Sequence, residues 1–160
     1  MDKLLLRTQL AFDNCREHID NSNAGGTEIE AYLTQHLLVV LFADVQQELH
    51  RVLERRAEQA GDSGLKSYAI ATCERVLRSV GKDEVARFVG YFGTEARKYL
   101  NDNINDEEVT LYGNAVSSRH KVAHKDGSNI TFGELSAAIE AARKLIATVS
   151  TAISLNTEAA

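Results

Sequence analysis

The apolar residues Ile29, Leu33, Leu37, Leu41, Val45, Leu49 and Val52 recur at intervals of four and three. That spacing winds into a single stripe on an α-helix and fits no strand. The helix it predicts, from the Thr27 cap to about Gln59, is the strongest constraint on the fold, because so long a stripe must be covered along its length. Between Leu37 and Val45 nearly every position is apolar. This section is expected to be enclosed on most sides, as the central helix of a bundle or one that also meets a partner chain. The remaining sequence agrees with an all-helical chain: its 160 residues contain no proline, and strand-like alternation is scarce. The expected architecture is all-α, a single-domain bundle of four to five main helices plus short ones. It covers residues 1–155, and residues 156–160 are a fraying tail.

The other elements follow from caps and breaks. A first helix over about 2–21 places Leu5, Phe12, Cys15 and Ile19 on one face and ends in the loop Asn21 to Gly26. Thr27 and Glu30 read as a capping box for the long helix. After the break at Gly61 to Gly64, a third helix points Leu65, Ala69, Val76 and Val80 inward. Two short helices, about 83–92 and 94–103, divide at Gly93. Asn105 with Glu108 caps the next helix, and Thr131 with Glu134 forms a second capping box. It opens a last helix with Leu135, Ile139, Ala142, Ile146, Val149 and Ile153 inward.

Composition narrows the class. A chain of this length buries roughly 70% of its unfolded surface, and an apolar content of 44% is ordinary for a globule. The longest apolar run, Leu37 to Ala43, is too short for a membrane span. The N-terminal Leu4 to Leu6 is followed by Arg7 and lacks the apolar core of a signal peptide. No membrane partner is expected, and the location expected is cytoplasmic. Cys15 and Cys73 share no metal spacing and read as reduced, half-buried thiols. A net charge of −5 argues against an extensive basic surface but leaves room for a local basic site.

One such site is legible. Arg119, His120, Lys121, His124 and Lys125 crowd the end of the helix that begins near Asn105, just before an Asp126-Gly127 turn. Val109, Tyr112 and Val116 step along that helix by three and four, and the next position on the stripe is Arg119. A cation stands where a core residue is expected. A guanidinium beside an imidazole that titrates near neutral pH is suited to a phosphodiester. Plainer roles exist. Arg119 would snorkel or pair with a glutamate, and His124 would cap the helix end. His120 and His124, at i and i+4, would bind zinc only with further ligands that the sequence does not offer nearby. His18, His36 and His50 read as ordinary histidines. Arg51, Arg55 and Arg56, interleaved with Glu48, Glu54 and Glu58, read as a solvated face. No phosphate-binding glycine loop is present.

Arg119, its polar neighbour His120 and the later His124, at the end of a late bundle helix, resemble the motif of the HEPN superfamily. The Lys125-Asp126-Gly127 turn, the helix start from Thr131 to Leu135 and the long apolar-centred second helix are similar to it as well. The likeness is closest to bacterial branches found in toxin and defence settings. As a pattern of residues it covers about 105–146. The family often has glycine after the motif histidine, where this chain has Lys125.

The resemblance implies a metal-independent endoribonuclease that needs no cofactor, a homodimer in which both motifs line one cleft. RNA is the implied substrate, and an antitoxin or other defence-system partner is an implied companion. Arg119 and His124 would be the catalytic residues, with His120, Lys121 and Lys125 holding substrate. Attack by the neighbouring 2′-hydroxyl on phosphorus leaves a cyclic phosphate and requires no metal-bound water. The alternative the sequence leaves open is a non-catalytic bundle of the same type, acting in assembly, nucleotide sensing or RNA binding.

Overall fold

The structure is a computed structural model that describes residues 4–123 and 130–155, with the backbone alone for 120–123. Among the described residues there are seven helices and no strand: α1 Leu6–Ser22, α2 Glu28–Glu58, α3 Ser63–Val76, α4 Lys82–Gly90, α5 Thr94–Asn103, α6 Asp106–Ala123 and α7 Phe132–Ala152. The expected tail 156–160 lies outside the described residues.

The apolar stripe of α2 does organise the bundle. Leu37, Leu41, Val45, Leu49 and Val52 are buried, and Leu38, Val40 and Phe42 join them. α1, α3, α6 and α7 all pack on α2, so its centre is covered on most of its circumference. Its first turn is different, because Ile29 and Tyr32 face solvent and burial begins at Thr34. α7 contributes the whole expected series, Leu135, Ile139, Ala142, Ile146, Val149 and Ile153, to the same core. α1 and α6 both run antiparallel to α7. Arg143 Nε donates to the Leu4 carbonyl while Phe12 stacks on Phe132 at a centroid distance of 4.7 Å, and Lys144 meets Glu108 in the first turn of α6.

Several local expectations change in the folded chain. Thr27 does not cap α2 with its side chain; its hydroxyl donates to the Ala24 carbonyl at 2.6 Å. Glu30 accepts instead from the Gly26 N–H. The cause lies in the loop, where left-handed Asn23 (φ 51°) turns the chain back and Ala24 is buried, bringing its carbonyl over Thr27. In α3 the buried residue is Cys73, followed by Leu77 at the cap. Leu65 sits in the first turn beside the Asp62 cap and is 55% exposed. The helix ends at Val76, and Val80 is buried from a turn rather than from a helix.

That turn stores strain. Val80 has φ 48°, a conformation that crowds a β-branched side chain and costs about 1–3 kcal/mol. Its partners hold it there. Tyr112 Oη donates to the Val80 carbonyl at 2.7 Å, Gln46 donates to the Leu77 carbonyl, and the Ser79 N–H and hydroxyl both donate to Glu84. Burial, and then the nearby Glu84 charge, push the Tyr112 hydroxyl far above its ordinary range, so it remains a donor.

The central helix also carries a charge within its most apolar section. Asp44, only 4% exposed, accepts from the Thr8 N–H at 2.9 Å and the Thr8 hydroxyl at 2.8 Å. Thr8 lies in the first turn of α1, whose N–H groups have no partner within the helix. Leu5, the residue before that helix, has no side-chain oxygen to cap it. Asp44 therefore caps α1 from 36 residues away.

The caps near α6 and α7 form as read. Glu108 N–H donates to Asn105 Oδ1 at 2.8 Å while Asn105 N–H donates back to Glu108. Thr131 and Glu134 exchange the same pair of bonds. The Thr131 N–H and hydroxyl hold the Glu134 carboxyl below its usual 4.5, and the Lys144 hydrogen bond does the same chiefly for Glu108. A depressed carboxyl pKa stabilises the fold above the unfolded value and loses that contribution as pH falls through the folded one. Glu134→Gln should therefore lower the melting temperature at pH 7, and the difference from wild type should close at pH 3. A gap of equal size at both values would mean that the carboxylate charge is irrelevant to the cap.

Candidate active site at the end of α6

α6 buries Tyr112, as expected, and then Ala115 and Ser118, each one residue before the expected Val116 and Arg119. Val109 and Val116 are half-buried, and so is Arg119. The arginine thus stands at the edge of the core-facing stripe rather than at its centre. That position suits the side chain, whose aliphatic stem favours apolar surface while the guanidinium favours water. Among the described residues no hydrogen bond or ion pair engages Arg119, so the glutamate partner considered for it is not found there.

One neighbour of this end of α6 is fixed by a close approach. A Cβ built on Gly81 would lie 3.9 Å from Val116, which puts the strained turn at Val80 against the helix one turn before Arg119. Lys82, half-buried, opens α4 beside that turn. Across the bundle, Ile130 is buried just before the Thr131 cap, and Arg16 lies over the Phe12 ring at 4.7 Å. The end of α6 therefore lies beyond the strained turn, while the second half of α1 packs on the start of α7. His124 and Lys125 lie outside the described residues, and the side chains of His120 and Lys121 are likewise not described. α6 ends at Ala123, so His124 is the next residue in the chain.

The other candidates separate clearly. Cys73 is 2% exposed, and burial, followed by Glu74 and Glu54, pushes its thiol up to about 11. A thiol so shielded is a poor nucleophile. Cys15 is half-buried with its thiol also pushed up by burial, and both cysteines are free. His18 and His36 are exposed. His50 is half-buried, and its Nε2 is enclosed without a hydrogen-bond partner among the described residues. No group of three or more metal-ligating side chains comes together among the described residues.

The basic face of α2 is less solvated than expected. Glu48 is buried and accepts from Arg51 at 2.6 Å, Arg56 donates to the Ile153 carbonyl at 3.1 Å, and Glu58 pairs with Lys66 at 2.8 Å. These contacts fasten α2 to α3 and to the end of α7. Among the described residues no helix is long and apolar enough to cross a membrane.

A large opening lies away from Arg119. A groove of about 1240 Å³ runs along α7 between the first half of α1 and the start of α6. Sequence reasoning missed it, because it arises from the distance between two helices that are remote in the chain. The exposed Leu6 and Leu10 were its available signal.

No protein-family model, curated protein or solved structure matches this chain.

Proposed function

We propose that this protein is a metal-independent endoribonuclease of HEPN type, a toxin or defence effector, in which Arg119 and His124 act on the scissile phosphate. The observation that carries the reading is Arg119 itself: a half-buried arginine with no ion pair among the described residues, five residues before His124 in the chain. A free guanidinium fork offers paired donors to non-bridging phosphate oxygens, and its charge offsets the extra negative charge of a phosphorane. His124 supplies or removes the proton at the attacking or leaving oxygen. His120, Lys121 and Lys125 would hold the RNA backbone. Pairing of two protomers about this end would provide acid and base together.

The test incubates the purified protein with mixed structured RNAs in EDTA and maps the new ends. Cleavage with 2′,3′-cyclic phosphate ends is the expected result. Cleavage that requires added divalent metal, or that leaves 3′-hydroxyl ends, would overturn the chemistry. Binding of RNA with no cleavage would move the assignment to a non-catalytic module.

A further inference from the structure

The groove along α7 is unused by the chemistry proposed above, and its construction is specific. Ala137, Ala141 and Ala147 line it from α7, with Glu140, Arg143 and Lys144 of the same helix beside them. With nothing beyond Cβ, the alanines allow another helix to approach to the about 8–10 Å between axes typical of packed helices. Leu6 and Leu10 of α1 and Leu111 of α6 form the walls. Leu6 is 49% exposed and Leu10 is 56% exposed, while Leu5 and Phe12 of the same segment are buried. Two leucines at i and i+4 are thus left in water beside these alanines. The volume, about 1240 Å³, exceeds the roughly 300–1,000 Å³ of small-molecule pockets, and the groove is open along its length. Its shape is that of a helix position left vacant between α1 and α6.

Charge identifies the occupant. Two cations line the groove, and both are engaged: Arg143 with Glu140 and Lys144 with Glu108. Asp13 and Glu107, both exposed on the rim, have no cationic partner among the described residues. Asp13 accepts only from Gln9 there. Among the described residues the lining is therefore net negative, four carboxyl groups against two cations. A second copy docked here about a twofold axis would set these carboxylates against one another, and like charges across an interface disfavour it.

We infer that this groove docks an amphipathic helix of a separate polypeptide, with leucine-like anchors on one face and lysine or arginine along its flanks. The inference stands apart from the ribonuclease reading. The lining residues of α6 end at Leu111, and Arg119 is not among them, so the groove and the arginine are separate features of the surface.

The experiment uses the full chain and three synthetic peptides of about 18 residues, five helical turns. They share one leucine face and carry lysine, glutamine or glutamate on the flanks, and binding is read by fluorescence anisotropy. The lysine peptide should bind about tenfold tighter than the glutamine peptide, with glutamate weakest, and the spread should shrink with salt. Leu10→Lys, at an exposed position, should weaken the lysine peptide about tenfold or more while circular dichroism stays helical. Asp13→Lys with Glu107→Lys should reverse the flank preference. Absence of binding by all three peptides, or equal affinity for them, would overturn the proposal. So would sedimentation showing a dimer that Leu10→Lys dissolves, because a second copy would then fill the groove.

Discussion

Arg119→Ala is expected to lower the rate of RNA cleavage by about 10²–10³-fold, the loss typical of removing one donor that stabilises developing negative charge. His124→Ala should cost about 10²–10⁴-fold, the range for a positioned proton-transfer group. Neither change should unfold the protein. Arg119 is half-buried and makes no hydrogen bond or ion pair among the described residues. Its truncation removes little more than stem packing, about 0.5–1 kcal/mol, or a few degrees in melting temperature. Arg119→Lys is the sharper variant, because it keeps the charge but loses the planar fork. Activity between wild type and alanine would assign part of the effect to bidentate geometry. Cleavage at the wild-type rate by either alanine variant, measured on the same RNA at matched concentration, would sink the assignment of that residue.

Asp44→Ala should destabilise the fold more than any surface change, by about 3 kcal/mol. The carboxylate accepts from both the N–H and the hydroxyl of Thr8, and Thr8 is fully buried. Alanine leaves two donors inside the protein without an acceptor, each costing about 1–3 kcal/mol. For a chain of this size the melting temperature should fall by roughly 6–12 °C. Asp44→Asn should fall between the two, since both Thr8 donors reach the same oxygen, which an amide carbonyl replaces as a neutral and weaker acceptor. A urea or thermal unfolding series measures all three proteins. A loss below about 1 kcal/mol for Asp44→Ala would mean that α1 has another way to satisfy its first turn.

The parts of this fold that the sequence disclosed are those set by short-range periodicity. The stripe of α2 from Leu37 onward, the stripe of α7 and the caps at Asn105 and Thr131 depend on residues three and four apart, and they formed as read. Thr27 shows the limit, for the same two side chains bond one loop earlier once Ala24 is buried. Leu65 shows another: periodicity says that α3 has an apolar side but not which turns reach its neighbour. Asp44 was visible as a lone carboxylate in the apolar section from Leu37 to Val45. Its partner lies 36 residues away, so nothing local named it. Arg119 was visible as a cation on an apolar stripe, although the buried line passes through Ser118 instead. The groove had only Leu6 and Leu10 as a local trace, because it is the gap that α1 and α6 leave over α7.

α7 bears on how this chain acquires its structure. It is the last of the seven helices, yet it supplies Leu135, Ile139, Ile146 and Val149 to the core around α2 and takes hold of α1 through Arg143. While the ribosome is still working toward α7, the apolar side of α2 that α7 will cover remains open to water. The earlier helices can form, but they cannot close around one another. Such an intermediate is sticky, and nascent chains of this design depend on chaperones or fast elongation to avoid aggregation. Shortening the message within the α7 codons should therefore yield insoluble product rather than a smaller folded bundle.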